Sequence, residues 1–175
     1  SYFMNDTTED YPSATYHIKE FEMSEEYYQE YKKIETNQGV GFYSNSGKSL
    51  AVFLNGIRRA ANVIDYNFVT DKVRWTVKHI INQTRNNKKV LVYSTWIKSG
   101  IRILQKYLDK YNVKWVEVTG SMTTNNRDSA VNKYNRDSVK VIFISSAGGE
   151  GLDLKGTSSV VIMEPHWHTR RLDQV

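Results

Sequence analysis

Val139-Lys140-Val141-Ile142-Phe143-Ile144 runs directly into Ser145-Ser146-Ala147-Gly148-Gly149-Glu150-Gly151-Leu152-Asp153-Leu154. A short apolar run that ends in small residues reads as a buried strand emptying into a loop. The glycines at 148, 149 and 151 let backbone approach a ligand closely, because no side chain stands in the way. Ser145 and Ser146 place two hydroxyls ahead of them, able to donate to phosphate, and Asp153 places a carboxylate after them, able to accept from a sugar hydroxyl. Open parallel sheets bind ligands in such loops, at the carboxyl ends of their strands. The plain alternative is a tight turn between two strands.

Outward from this segment the pattern is regular. Val90-Leu91-Val92-Tyr93 reads as a strand, and Ile97, Ile101, Leu104 and Leu108 mark a helix after it. Val113 to Val118 is a strand closed by a Thr119-Gly120 turn. Asn125 to Asn135 is a helix carrying Ala130 and Tyr134, and Ser159 to Glu164 is a strand stopped by Pro165. Strands and helices alternating with short loops predict an α/β fold, a parallel sheet flanked by helices on both faces.

Upstream, Thr70 or Asp71 opens a helix with Val73, Val77, Ile80 and Ile81 on one face, ended by Asn86-Asn87. Lys48 to Ala61 reads as a helix with Leu50, Phe53, Leu54 and Ile57 inward, and residues 36–47 as a Gly/Asn/Ser loop. Ser24 caps a further helix with Glu25 and Glu26 in its first turn and Lys32 and Lys33 near its end, both placements suiting the helix dipole. Tyr27, Tyr28, Tyr31 and Ile34 form its apolar stripe. Ala14 to Phe21 alternates loosely and predicts a short strand, and the polar residues before it a frayed arm.

The 175 residues carry 39% hydrophobic and 25% charged side chains, ordinary for a globular chain. No apolar run is long enough to span a bilayer. Asp6, Glu9 and Asp10 precede any apolar stretch, which is not the pattern of a secretory signal. The absence of cysteine excludes a disulfide framework and thiolate metal ligands, and fits a reducing compartment. The net charge of +5 is uneven: residues 1–35 hold three basic and nine acidic side chains, so the remaining body is strongly basic. A basic body suits a polyanion such as nucleic acid, or is simply a solvated lysine-rich surface.

Two motifs fail on spacing. Ser44-Asn45-Ser46-Gly47-Lys48-Ser49 resembles the end of a phosphate-binding P-loop, but the position five before Gly47 is Phe42 rather than glycine. Residues 148–153 do not fit Gly-x-Gly-x-x-Gly. His166 and His168 have ligand-like spacing without a third partner, so no metal site is expected. Trp96 and Trp167 suit core or rim packing better than base stacking. Arg170 and Arg171 suit phosphate or solvent equally.

Taken with its neighbours, Ser145 to Leu154 resembles motif V of superfamily 2 helicases and translocases. Val90 to Trp96 resembles motif IV. Thr119-Gly120, Arg127 and Tyr134-Asn135 resemble the threonine-glycine, arginine, aromatic-asparagine stretch, and Glu164-Pro165-His166-Trp167 the segment after the next strand. Asp173-Gln174-Val175 resembles the opening of motif VI, which in the family continues to Gly-Arg-x-x-Arg. The match covers roughly residues 88–175, in order. Met23-Ser24 opening a Tyr/Glu-rich helix, and Asn55-Gly56-Ile57-Arg58-Arg59 before Ala60-Ala61-Asn62, are similar to the Swi/Snf-like branch. Within it they resemble the nucleoside triphosphatase I and early transcription factor small-subunit types of large DNA viruses. Glu150 and Asp153 depart from the Swi/Snf form Gly-Gly-x-Gly-Leu-Asn-Leu.

The resemblance implies a second, RecA-like motor domain over residues 71–175, cut within motif VI, with an N-terminal strand-helix extension over 14–70 and an arm over 1–13. It implies that Ser145, Ser146 and Ala147 touch the nucleic-acid backbone, a contact that positions without reading sequence, and that Ser94, Thr95, Trp96, Thr119 and Gly120 line the same face. Gly149, Glu150 and Gly151 would pack toward a nucleotide, Asp153 would accept from its ribose, and Gln174 would begin the phosphate contact. The cofactor implied is ATP with Mg2+, held mainly by a first RecA-like domain. The partners implied are that domain, nucleic acid with DNA favoured over RNA, and RNA polymerase or transcription factors. No membrane is implied; the compartment would be cytoplasm or nucleus, or virion or viral factory for a viral protein. No catalytic residue falls in this segment, so it should not hydrolyse ATP by itself. A docking scaffold in a viral transcription complex is the alternative.

Overall fold

The computed structural model describes residues 14–43, 59–65, 68–149 and 151–164. Helix α1 spans Glu25–Tyr43. Ser24 caps it as expected, its Oγ accepting from Tyr27 N at 3.3 Å. The helix continues past residue 36, where a loop was predicted. Asn37, Gly39 and Gly41 each lower helix propensity by up to about 1 kcal/mol, but unlike proline they remove no backbone donor. Tyr27 anchors α1: the ring is buried, its hydroxyl donates to Ala60 O at 2.6 Å, and it packs 4.9 Å from Phe68.

Among the described residues no strand precedes α1. Residues 14–24 lack regular structure, and the alternating Tyr16 and Ile18 are almost fully exposed. Alternation makes a strand only where a ladder partner and a buried face exist, and Phe21 instead turns onto the Trp75 ring, 6.0 Å away. The helix predicted over Lys48–Ala61 lies mostly outside the described residues; Arg59 and Ala60 are helical.

An antiparallel hairpin follows, β1 (Val63–Asp65) with β2 (Phe68–Val69). Helix α2 covers Asp71–Arg85. Thr70 occupies its N-cap position, but the hydroxyl donates to Asn62 O at 3.1 Å rather than capping the helix. Asn86 closes α2, and Asn87 adopts φ 57°, where asparagine is tolerated.

The main sheet contains β3 (Lys89–Tyr93), β4 (Trp115–Val118), β5 (Val141–Ile144) and β6 (Thr157–Ile162), all parallel, in the order β4-β5-β3-β6. Residues 97–101 form a π-helical turn that leads into α3 (Arg102–Lys110), and α4 covers Thr124–Asn135. Val90, Val92, Val141 and Phe143 face one core with Val73, Val77 and Ile80 of α2 and Leu104 and Leu108 of α3. Leu91, Tyr93, Ile142 and Ile144 face the other, against Ala130 and Tyr134 of α4. Burial on both faces explains why these strands read as continuous apolar runs. Ile97 departs from its predicted inward stripe: the π turn leaves it exposed and turns Ile101 inward.

A clasp closes the amino-terminal end of the sheet. Lys89 Nζ is buried 2.9 Å from Asp137 Oδ1 and 4.6 Å from the centre of the Tyr134 ring. Burial pushes the Tyr134 hydroxyl up to about 12, while its oxygen lies 2.8 Å from Thr157 Oγ1. The hydrogen bond from Lys89 holds the Asp137 carboxyl below its ordinary value of 3.8. Because the folded carboxyl titrates below the usual range, the clasp is complete above that range and fades as pH falls through the folded value. Asp137→Asn tests this, since asparagine suits the φ of 61° at this position. The variant should melt lower than the parent at pH 7, and the gap should narrow as pH falls below the ordinary carboxylate range. A gap that persists there in thermal melts would remove the ion pair as its cause.

Candidate nucleotide and nucleic-acid site

Three loops leave the carboxyl ends of adjacent strands: residues 94–96 after β3, 119–120 after β4 and 145–149 after β5. Backbone bonds extend the ladder by one residue into the first and third of these. Ser94 N donates to Ile144 O, and Ser145 N donates to Val118 O, both at 3.1 Å. Beyond that point the loops interlock where side chains are missing. A Cβ on Gly148 would stand 2.3 Å from Val118 O, and one on Gly120 would stand 2.5 Å from Ala147 Cβ. Gly149 is less constrained, with Ile144 Cγ2 at 3.1 Å, and Gly151 opens onto free space at φ 70°.

The expected nucleic-acid residues divide by exposure. Gly120 and Ala147 are exposed, and Thr95, Trp96 and Ser146 half-buried. Ser94, Thr119 and Ser145 are buried beneath them, so their side chains shape the loops from below. Ser145 Oγ has no hydrogen-bond partner among the described residues. The guanidinium of Arg59 lies 4.7 Å above the Trp96 ring, putting a cation from the segment before β1 beside the 94–96 loop.

Of the residues expected to face a nucleotide, Asp153 has a side chain 83% exposed, with Lys155 Nζ at 3.7 Å. Its backbone is fixed by Asn135, whose Nδ2 donates to Asp153 O and whose Oδ1 accepts from Lys155 N, both at 2.8 Å. An open carboxylate on a clamped backbone can accept a hydrogen bond with little reorganisation. Glu150 and Gln174 lie outside the described residues, as do His166, Trp167, His168, Arg170 and Arg171. Among the described residues no three His, Asp or Glu side chains gather to hold a metal ion.

Sequence reasoning missed the clamp of Asn135, the contact of Gly148, and Glu164, a buried carboxylate after β6. The first two had signals in the aromatic-asparagine pair and the glycine cluster. The partners of Glu164 lie 69 to 102 residues away, and no local pattern announces them.

Residues 71–175 match the family model described as "Helicase conserved C-terminal domain". The chain belongs to this family. It is a C-terminal RecA-like domain of the superfamily 2 kind. A putative ATP-dependent RNA helicase of Acanthamoeba polyphaga mimivirus is 35% identical over 189 residues, covering 100% of this chain and 42% of that protein. Nucleoside triphosphatase I of Choristoneura biennis entomopoxvirus is 30% identical over 94 residues, covering 50% of this chain and 14% of that protein. The helicase domain described here thus spans less than half the length of either relative. Among solved structures, the Sulfolobus solfataricus SWI2/SNF2 ATPase core domain superposes with a TM-score of 0.69 at 19% identity, over 89% of this chain and 35% of that one. At that identity the likeness establishes the RecA-like fold of the helicase domain.

Proposed function

We propose that this domain is the second motor domain of an ATP-dependent nucleic-acid helicase or translocase. One observation carries the reading: the three loops lie side by side at the carboxyl edge of the sheet, two of them interlocked, and the 145–149 loop leads on to the clamped, solvent-facing Asp153. A nucleic-acid backbone would lie on Gly120, Ser146, Ala147, Thr95 and Trp96. A nucleotide held by a first domain would meet Gly149, Gly151 and Asp153, with Glu150 and Gln174 completing that edge. ATP would supply the phosphoanhydride whose cleavage drives movement. Magnesium would be held mainly by the first domain. DNA is favoured as the track, and a mimivirus relative named as an RNA helicase makes RNA the competitor to test against.

Phosphoryl transfer needs a phosphate cradle, metal ligands and an arginine at the transferring group. This chain lacks the first glycine of a P-loop, Phe42 standing in its place. The purified 175-residue chain should therefore show no ATP turnover above a vector-only control, with or without nucleic acid. The full-length protein should turn over ATP and be stimulated by duplex DNA more than by duplex RNA. Turnover by the chain alone would overturn the half-site assignment. A full-length protein inert with both nucleic acids would leave the docking-scaffold alternative.

A further inference from the structure

We propose that Glu164 is a positioning residue for the 94–96 loop, and that the segment before β1 supplies Asn62 and Arg59 to the same face. The second half rests on the reading that this loop faces nucleic acid.

Glu164 lies two residues beyond β6 and is 3% exposed. A buried carboxylate is tolerated only where donors surround it. Asn62 Nδ2 donates to Oε1 at 2.6 Å and Thr95 N donates to Oε2 at 3.0 Å. Ser94 Oγ lies 3.1 and 3.0 Å from the two carboxylate oxygens. Ser94 Oγ in turn accepts from Trp96 N at 3.2 Å. Both loop amides past the strand end are therefore held, one directly and one through a hydroxyl relay. An apolar side chain would fill the space more cheaply than a carboxylate, but it could not accept from Thr95 N.

The surroundings are built to the same end. Ile101 N donates to Trp96 O at 3.0 Å within the π turn, which carries Gly100 over Ser94. A Cβ on Gly100 would fall 2.1 Å from Ser94 Oγ and 3.6 Å from Glu164 Oε1. Single π turns of this kind are frequent at functional sites. Asn62 N donates to Arg59 O at 3.0 Å, so the turn that aims Asn62 at the carboxylate also sets Arg59 over Trp96. Arg59 is exposed there and available to a phosphate.

Glu164→Leu keeps the bulk but removes both acceptor oxygens, so Thr95 N and Asn62 Nδ2 lose their partner and Ser94 Oγ loses its anchor. In the 175-residue chain, the amides of Thr95 and Trp96 should exchange with solvent at least tenfold faster, while those of Leu91 to Tyr93 stay protected. Binding of a short fluorescein-labelled DNA duplex at low salt should weaken three- to fivefold. Asp137→Asn, which loosens the opposite end of the sheet, should do neither. Unchanged exchange at Thr95 and Trp96 overturns the positioning role. Faster exchange with unchanged duplex binding overturns its bearing on the nucleic-acid face. A parent chain that binds no duplex sinks the track reading and the second half of the proposal with it, while the exchange arm still decides the first. If Glu164→Leu does not fold, Ser94→Ala decides: it removes the relay, so Trp96 N should exchange faster, and no change there overturns the proposal.

Discussion

Gly148→Ala is expected to destabilise the domain by about 3 kcal/mol, at the upper end of what overpacking costs. The added Cβ would stand 2.3 Å from Val118 O, 2.7 Å from Val118 C and 3.1 Å from Thr119 Cα. All three are backbone atoms, so no side chain can swing aside. The β4 end and the 145–149 loop must part, and the bond from Ser145 N to Val118 O is the first to stretch. Gly151→Ala is the matched control. Its Cβ meets nothing within 4 Å, so it carries only the left-handed penalty, about 1 kcal/mol. Urea unfolding of the two variants checks the difference, and equal midpoints would show that the loops do not interlock as described. In the full-length protein, Gly148→Ala should also reduce nucleic-acid-stimulated turnover, because the displaced loop holds both edges of the half-site.

Asp153→Ala in the full-length protein should raise the KM for ATP at least tenfold and leave the melting temperature where it was. The side chain is 83% exposed, and removing an exposed side chain changes stability by about 0.5 kcal/mol or less. The same carboxylate accepting from a ribose hydroxyl is a charged hydrogen bond, contributing about 1.5–3 kcal/mol, or roughly 10- to 150-fold in affinity. Asp153→Asn should recover part of the loss, since an amide oxygen still accepts. An unchanged KM and kcat in Asp153→Ala would refute the ribose contact. Asn135→Ala is not a substitute, because it would free the backbone from Asp153 to Lys155 as well.

From Asp71 onward the fold was legible in the sequence, because the central strands β3 and β5 are buried on both faces and α2 and α3 each show one apolar stripe. Thr70 at the start of α2 and Asn86-Asn87 at its end were readable from residue type alone. Before Asp71 the pattern gave less. The strands of the β1–β2 hairpin are three and two residues long, too short to carry a period. Tyr16 and Ile18 alternate without a ladder partner among the described residues. The candidate ligand loop was visible as a glycine cluster, but a cluster does not say which glycine is crowded. Gly148 and Gly120 are fixed by neighbours on other strands, and only the assembled sheet brings those neighbours in. Glu164 was hidden for the same reason, since Asn62, Ser94 and Thr95 reach it across the fold.

The Lys89 clasp and the ligand loops stand at opposite ends of β3, whose five residues are all buried and span roughly 16 Å. The loops after β3, β4 and β5 leave the far end, but the segment running from them back to β6 returns to the clasp: Asn135, which holds the Asp153 backbone, follows Tyr134 directly, and Lys155 lies two residues before Thr157. Changes at Tyr134 or Thr157 that alter heat tolerance should therefore be felt at Asp153 as well, while the three loops at the other end of β3 are the part of the edge that stands apart from the clasp.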